Sequence, residues 1–285
     1  MLGSILPAVT KAPSKILRKA MKGTNSRYQL AYFNFHGRAE SIRYLLAYAG
    51  VPWKEIVFKH PTDAEWLRHK VKTPYKCLPV LYETTESGIV LELSEVLPIE
   101  RYLARNFKLH GTDRWERFQV EQAVSSIDTS QVLYHHKVLL PNWPSNSDSR
   151  DRKTQKQERR VEEANRFYEM GLKSFVDVHE ARLKANGGGN GYYAGTKPTL
   201  ADLRATLFMD RLLLLRPEGA NPIPLSKKKS PNLWKVRDSV HQIPAIAKWR
   251  ESERFQELDA LTEKYFGFKG HEADDLSRDT LKRQK

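Results

Sequence analysis

The chain has 285 residues, 40% of them apolar and 10% aromatic, which is enough to bury a core in one large domain or in two. That composition excludes a disordered chain, and no apolar run is long enough to form a membrane-spanning helix. With 48 Lys and Arg against 34 Asp and Glu, the formal charge is +14, so the surface attracts anions such as nucleic acid, acidic lipid or small acidic metabolites. The single cysteine, Cys77, leaves no partner for an internal disulfide or a cysteine-rich zinc site, as expected of a reducing compartment.

Residues 1–26 differ from the rest. Lys11, Lys15, Arg18, Lys19, Lys22, Arg27 and Arg38 all precede the first acidic residue, Glu40. On a helix, Lys15, Arg18, Lys19 and Lys22 share one face, and Ile16, Leu17, Ala20 and Met21 share the other. Such a segment reads as a mitochondrial presequence, with a solvated tail as the plain alternative. The expected localisation is therefore mitochondrial, or cytoplasmic if the segment is only a tail.

From 27 to 108 the pattern alternates. It predicts a strand over 28–33, a helix over 38–49, an extended stretch at 53–58 and a short acidic-capped turn at 63–70. Strands at 77–82 and 89–93 flank a polar turn, and a helix follows over 95–106. A βαβ unit followed by ββα is the order of a thioredoxin-like α/β domain. From 109 to 266 strands vanish, and helical spacing governs 115–134, 159–183, 200–215 and 243–255, which predicts an all-helical second domain. Polar interruptions at 141–157, 186–191 and 216–232 read as loops, and 267–285 as a charged tail.

The most informative stretch is Tyr28-Gln-Leu-Ala-Tyr32-Phe-Asn-Phe-His-Gly-Arg38-Ala-Glu-Ser-Ile-Arg. It puts a phenol at a strand exit, beside a guanidinium and a helix N-terminus, an arrangement that can polarise a small anionic nucleophile. Tyr28, Leu30 and Tyr32 lie on one strand face, so alternation alone does not say which tyrosine is functional. Here the chain resembles the glutathione transferases, most closely the sigma-like group that uses a tyrosine. Cys77-Leu78-Pro79-Val80-Leu81 and the Thr199-Leu-Ala-Asp202 capping box are similar to two further motifs of that family.

The resemblance implies glutathione as co-substrate, conjugated as its thiolate to a small apolar electrophile in a detoxification reaction. It implies that Tyr32 donates to the glutathione sulfur and that Arg38 adds its charge. It also implies a cis peptide before Pro79, with the Leu78 backbone pairing the cysteinyl unit. Trp66 and Lys70 would hold the glycine carboxylate. Glu95 and the Val96 amide would hold the γ-glutamyl end, and Asp128 would serve the glutathione of a neighbouring subunit in a homodimer.

Three positions depart from the family pattern. Val96 stands where a Ser is usual, with Ser94 two residues before it; Cys77 replaces a polar residue; and Thr129 replaces a second acid after Asp128. One lost charge-assisted hydrogen bond costs about 1.5–3 kcal/mol, so binding is expected to be weakened. A non-catalytic relative that docks its basic surface on RNA or a mitochondrial ribosome is the alternative reading. No metal site is expected, because His135-His136 and the other histidines lack ligand spacing with acids.

Overall fold

The computed structural model describes residues 5–20, 26–61, 63–139, 149–186, 189–217 and 224–268. Described residues up to Lys108, together with Ile243–Leu261, form one compact unit, and those from Leu109 to Gln242, with Thr262 onward, form another. After the short helix α1 (Ser14–Ala20), the first unit runs β1 (Arg27–Phe33), α2 (Glu40–Tyr48), β2 (Trp53–Phe58), α3 (Ala64–Lys70), β3 (Val80–Thr84), β4 (Val90–Ser94) and α4 (Val96–Asn106). The sheet order is β2-β1-β3-β4, with β1 parallel to β2 and antiparallel to β3. The sequence predicts this βαβ plus ββα order, and the structure has it.

The strand period of two splits β1 between two cores. Tyr28, Leu30 and Tyr32 occupy alternate positions, and α2 and α4 pack on each other with Ile42, Leu45, Leu46, Ile99 and Leu103 buried. Ala31 joins Phe58, Val80 and Tyr82 in a separate apolar cluster, closed by Trp66 of α3 and, unexpectedly, by Leu6.

Leu6 belongs to the segment that the sequence reads as a presequence or tail. Its side chain is only 8% exposed. The Thr10 amide donates to the Val90 carbonyl (3.1 Å), and the Val90 amide donates to the Thr10 hydroxyl (2.9 Å). These bonds occupy backbone groups on the outer edge of β4, a position that would otherwise template unwanted strand pairing. Residues 5–10 therefore act as part of the domain. The predicted helix in this region is present as α1, and its expected members Met21 and Lys22 lie outside the described residues.

A second correction concerns 243–266. The sequence predicts one helix at 243–255 inside the second domain. The structure has two, α10 (Pro244–Glu251) and α11 (Glu253–Phe266), and residues 243–261 belong to the first unit. Ser252 breaks the run with extended backbone (ψ 147°), and its hydroxyl accepts the Phe255 amide (3.2 Å). Polar contacts explain the docking: Trp249 donates to Glu40 (2.8 Å), Arg250 to the Tyr44 hydroxyl (2.8 Å) and Arg254 to Glu55 (2.6 Å).

The second unit is helical, as predicted: α5 (Arg114–Tyr134), α6 (Arg150–Arg166), α7 (Leu172–Ala185), α8 (Leu200–Leu214) and α9 (Pro231–His241). Part of the loop predicted at 141–157 is helix instead, because Ser149 caps α6 by accepting the Arg152 amide. The predicted 159–183 helix is interrupted by a π-helical turn, Phe167–Gly171, where a side chain on Gly171 would collide with the Phe167 ring. Sequence spacing misses α9. Its N-terminus is capped from a distance: the Glu180 carboxylate of α7 accepts the amides of Asn232 (3.2 Å) and Leu233 (2.7 Å). The capping box at Thr199 is present, with Asp202 accepting the Thr199 amide (2.7 Å) and also the Tyr193 amide (2.8 Å).

Leu6→Ala should lower the unfolding free energy by about 2–3 kcal/mol, read from the urea midpoint. A solvated tail would leave the midpoint within the about 0.5 kcal/mol expected of an inert surface change.

Candidate active site

β1 delivers Tyr32 to its C-terminal end, and the chain must then reverse within a few residues to start α2. Gly37 makes this possible. Its φ is +47°, and any Cβ there would collide with the Tyr32 hydroxyl and ring. With glycine in place, the Arg38 amide donates to the Tyr32 hydroxyl oxygen at 2.9 Å. Phe33 and Phe35 hold the ring, their centroids 5.4 and 5.7 Å away. Tyr32 is 7% exposed, so most of the ring is packed, while its oxygen sits against the 3-10 turn Gly37–Ala39 that opens α2. Because the amide is the donor in that bond, it does not engage the phenol's own proton.

The two tyrosines that alternation left equivalent have different surroundings. Tyr28 lies near Glu83; burial first, then that carboxylate, pushes its phenol up to about 12. An anionic sulfur beside a carboxylate would be destabilised, whereas one beside the Arg38 amide and side chain would be favoured.

Arg38, Lys70, Cys77 and Glu95 form one charged neighbourhood. The Cys77 thiol donates to Glu95 Oε1 (3.1 Å). Burial, followed by that hydrogen bond and charge, pushes the thiol up to about 11, and the positive charges of Arg38 and Lys70 oppose the shift. Cys77 is thus a poor nucleophile at neutral pH. Glu95 precedes α4 with φ +69°, ψ 130°, a backbone conformation that a non-glycine residue adopts only at a cost. That conformation leaves the Glu95 carboxylate exposed at the mouth of α4 and the Val96 side chain buried. Ser94 does not make up for the hydroxyl that Val96 lacks: its Oγ is shut from solvent and finds no hydrogen-bond partner among the described residues.

The Leu78–Pro79 peptide is cis, and Leu78 packs on the apolar cluster of Leu6, Trp66 and Val80. Trp66 and Lys70 both lie on α3, whose N-terminus Asp63 caps by accepting the Glu65 amide (3.0 Å). They are not equivalent, however. Trp66 is 4% exposed and inserted between Phe58 and Phe33, so its ring is a core element, whereas Lys70 is exposed. The two share a helix face as expected, with the Trp66 ring packed and the Lys70 ammonium in solvent. Asp128 is tied to α8 of its own chain. The buried Arg204 of α8 donates to its Oδ1 (2.7 Å) and to Gln131 (2.8 Å), and a buried guanidinium left without a carboxylate would be costly.

Sequence reasoning missed the buried charge cluster behind the Tyr32 turn. Glu40 Oε2 meets His36 Nδ1 (2.7 Å) and Arg43 (3.1 Å), and Arg43 also donates to Glu55 (2.6 Å). Arg254 reaches the same Glu55. A groove of about 340 Å³ lined by Pro52, Trp53, Glu55, Trp249 and Arg254 flanks this cluster and includes none of the predicted site residues.

The chain is similar to several known proteins. Residues 150–253 match the family model "Glutathione S-transferase, C-terminal domain". S-crystallin SL11 of Nototodarus sloanii is 29% identical over 77% of this chain and 93% of its own length. Hematopoietic prostaglandin D synthase of Rattus norvegicus is 28% identical over 78% and 94%. A class-mu 28 kDa glutathione S-transferase of Schistosoma japonicum is 32% identical over 40% of this chain and 53% of its own length. Among solved structures, rat hPGDS complexed with a quinoline superposes with a TM-score of 0.58 at 26% identity, covering 78% of this chain and 95% of that one.

Glu95→Gln should lower the Cys77 pKa and speed its alkylation by iodoacetamide at pH 8 by about tenfold for each unit of pKa recovered. An unchanged rate would mean that Glu95 does not govern the thiol. The chain therefore has the glutathione transferase fold and counts glutathione S-transferases among its homologues.

Proposed function

We propose that the protein is a glutathione transferase that stabilises the thiolate of glutathione through Tyr32 and adds it to a small apolar electrophile. The observation that carries this reading is the Tyr32 hydroxyl fixed by the Arg38 amide behind Gly37. In this reading the phenol donates its proton in a hydrogen bond to the sulfur, and Arg38 supplies positive charge. A free thiol has a pKa near ~8.5, so such donors raise the anionic fraction at neutral pH. The sulfur lone pair then attacks the electrophilic carbon; the thiol proton has gone to solvent, and any leaving group departs with its bonding electrons. The Leu78 backbone at the cis peptide would pair the cysteinyl unit. Glu95 and the Val96 amide would receive the γ-glutamyl end, and Trp66 with Lys70 the glycine carboxylate.

A homodimer fits the apolar side chains that each unit leaves in solvent. Val71 and Tyr75 are each 69% exposed in the first unit, and Trp115 stacks on Phe118 in the second, both exposed. The rival reading, a non-catalytic member of the same fold, draws support from the hydroxyl absent at Val96.

Retention on immobilised glutathione and conjugation to a generic chromogenic electrophile test the proposal. Tyr32→Phe should be retained but lose about ten- to a hundredfold in kcat, the worth of one hydrogen bond to a charged group. A wild type that is neither retained nor active would favour the non-catalytic reading.

A further inference from the structure

The turn that carries Gly37 and Arg38 is pinned from behind by a buried imidazole. His36 Nδ1 lies 2.7 Å from Glu40 Oε2, and its Nε2 lies 2.9 Å from Asp259 Oδ1. Ionised carboxylates only accept, so both ring nitrogens must carry protons for both contacts to be hydrogen bonds. One imidazolium thus links the first turn of α2 to α11, which lies more than two hundred residues further along the chain.

Other groups crowd the same ring. The Phe255 ring of α11 sits 4.6 Å from it, centroid to centroid, and Arg250 of α10 lies over the Phe255 ring at 5.1 Å. Arg43 donates to Glu40 (3.1 Å) and to the His36 carbonyl (3.3 Å), and Trp249 donates to the other Glu40 oxygen (2.8 Å). Arg254 bonds Glu55, Glu257 and Asn34 of the same loop. Glu40 therefore faces three donors, and Asp259 completes the charge pairing of His36.

We propose that His36 is a positioning residue for the thiolate site, its doubly bonded imidazolium holding residues 34–38 against α11 so that the Arg38 amide stays under the Tyr32 hydroxyl. This rests on the reading of Tyr32 given above. The geometry makes the hold proton-dependent. The Glu40 and Asp259 carboxylates raise the His36 pKa above its ordinary 6.5 in spite of burial, whose opposing effect is the largest single one. Its partners His36, Arg43 and Trp249 lower that of Glu40 against the same kind of burial. A raised histidine contributes stability that is complete below pH ~6.5 and is lost as the pH rises through the folded value. A lowered carboxylate contributes stability that is present above its unfolded value near ~4.3 and is lost as the pH falls through the folded one. The hold is therefore firmest in the mildly acidic to neutral range and loosens on the alkaline side.

The test uses the full chain labelled with 13Cζ-tyrosine and 15N-histidine, with signals assigned through Tyr32→Phe and His36→Gln. In the wild type, the Tyr32 signal should move with the same midpoint as the His36 nitrogens, above pH 6.5. In His36→Arg, whose cation persists, the Tyr32 signal should keep the acidic-side position throughout. In His36→Gln it should keep the alkaline-side position. Asp259→Asn, a milder change at a part-exposed carboxylate, should lower the shared midpoint and covers the case in which His36→Gln does not fold. A Tyr32 signal indifferent to pH and identical in all variants would overturn the proposal, as would His36 nitrogens titrating at or below 6.5. These spectra need no turnover, so a wild type without transferase activity refutes the preceding reading and leaves this one to be judged by its own signals. In an active enzyme, His36→Gln should lower kcat several-fold more than it alters KM, with His36→Arg restoring it; equal kcat in all three proteins would count against positioning.

Discussion

One backbone turn decides what this site can do. Between β1 and α2 the chain must bring an amide hydrogen to the Tyr32 hydroxyl while leaving no side chain in the way, and only a glycine at positive φ meets both demands at residue 37. A phenol oxygen that accepts an amide in this way does not commit its own proton to that bond. In the proposed reading, Arg38, Lys70, Glu95 and the Leu78 backbone act around that oxygen.

The first unit is braced in two places. On one side of the sheet, Leu6, Trp66, Val80 and Leu78 pack as one apolar cluster. A residue near the start of the chain therefore packs under the Leu78–Pro79 loop, whose backbone would meet the peptide in the proposed reading. Behind the turn, Glu40 and Glu55 are embedded among His36, Arg43, Trp249 and Arg254. Buried ion pairs gain little net stability once desolvation is counted. Their value here is geometric: each carboxylate accepts from donors on separate elements, which restricts where α10 and α11 can sit on the first unit.

The parts of this architecture that depend on local patterns were legible in the sequence. The succession of strands and helices in the first unit followed from alternation and helical spacing, the Tyr32 turn from Gly-Arg-Ala-Glu, and the capping box from Thr199 and Asp202. What stayed hidden depends on distant partners. His36 reads as one more polar loop residue until Asp259 is placed beside it. The start of α9 has no strong local cap, because Glu180 supplies it from another helix. The i, i+4 spacing of Trp66 and Lys70 puts both on one face of α3, but that face straddles the core boundary, so one side chain is buried and the other solvated. Leu6 lies in a segment whose charge pattern speaks for targeting, and only its pairing with β4 through Thr10 reveals a packing role.

The account rests on a protein-held phenol lowering the pKa of a bound thiol. The most direct measurement is a pH titration of the ultraviolet thiolate absorbance of glutathione in the presence of the protein. A midpoint at least one unit below the free thiol's ~8.5, returning toward that value in Tyr32→Phe, is the predicted result. A bound thiol that titrates like free glutathione in both proteins would contradict it.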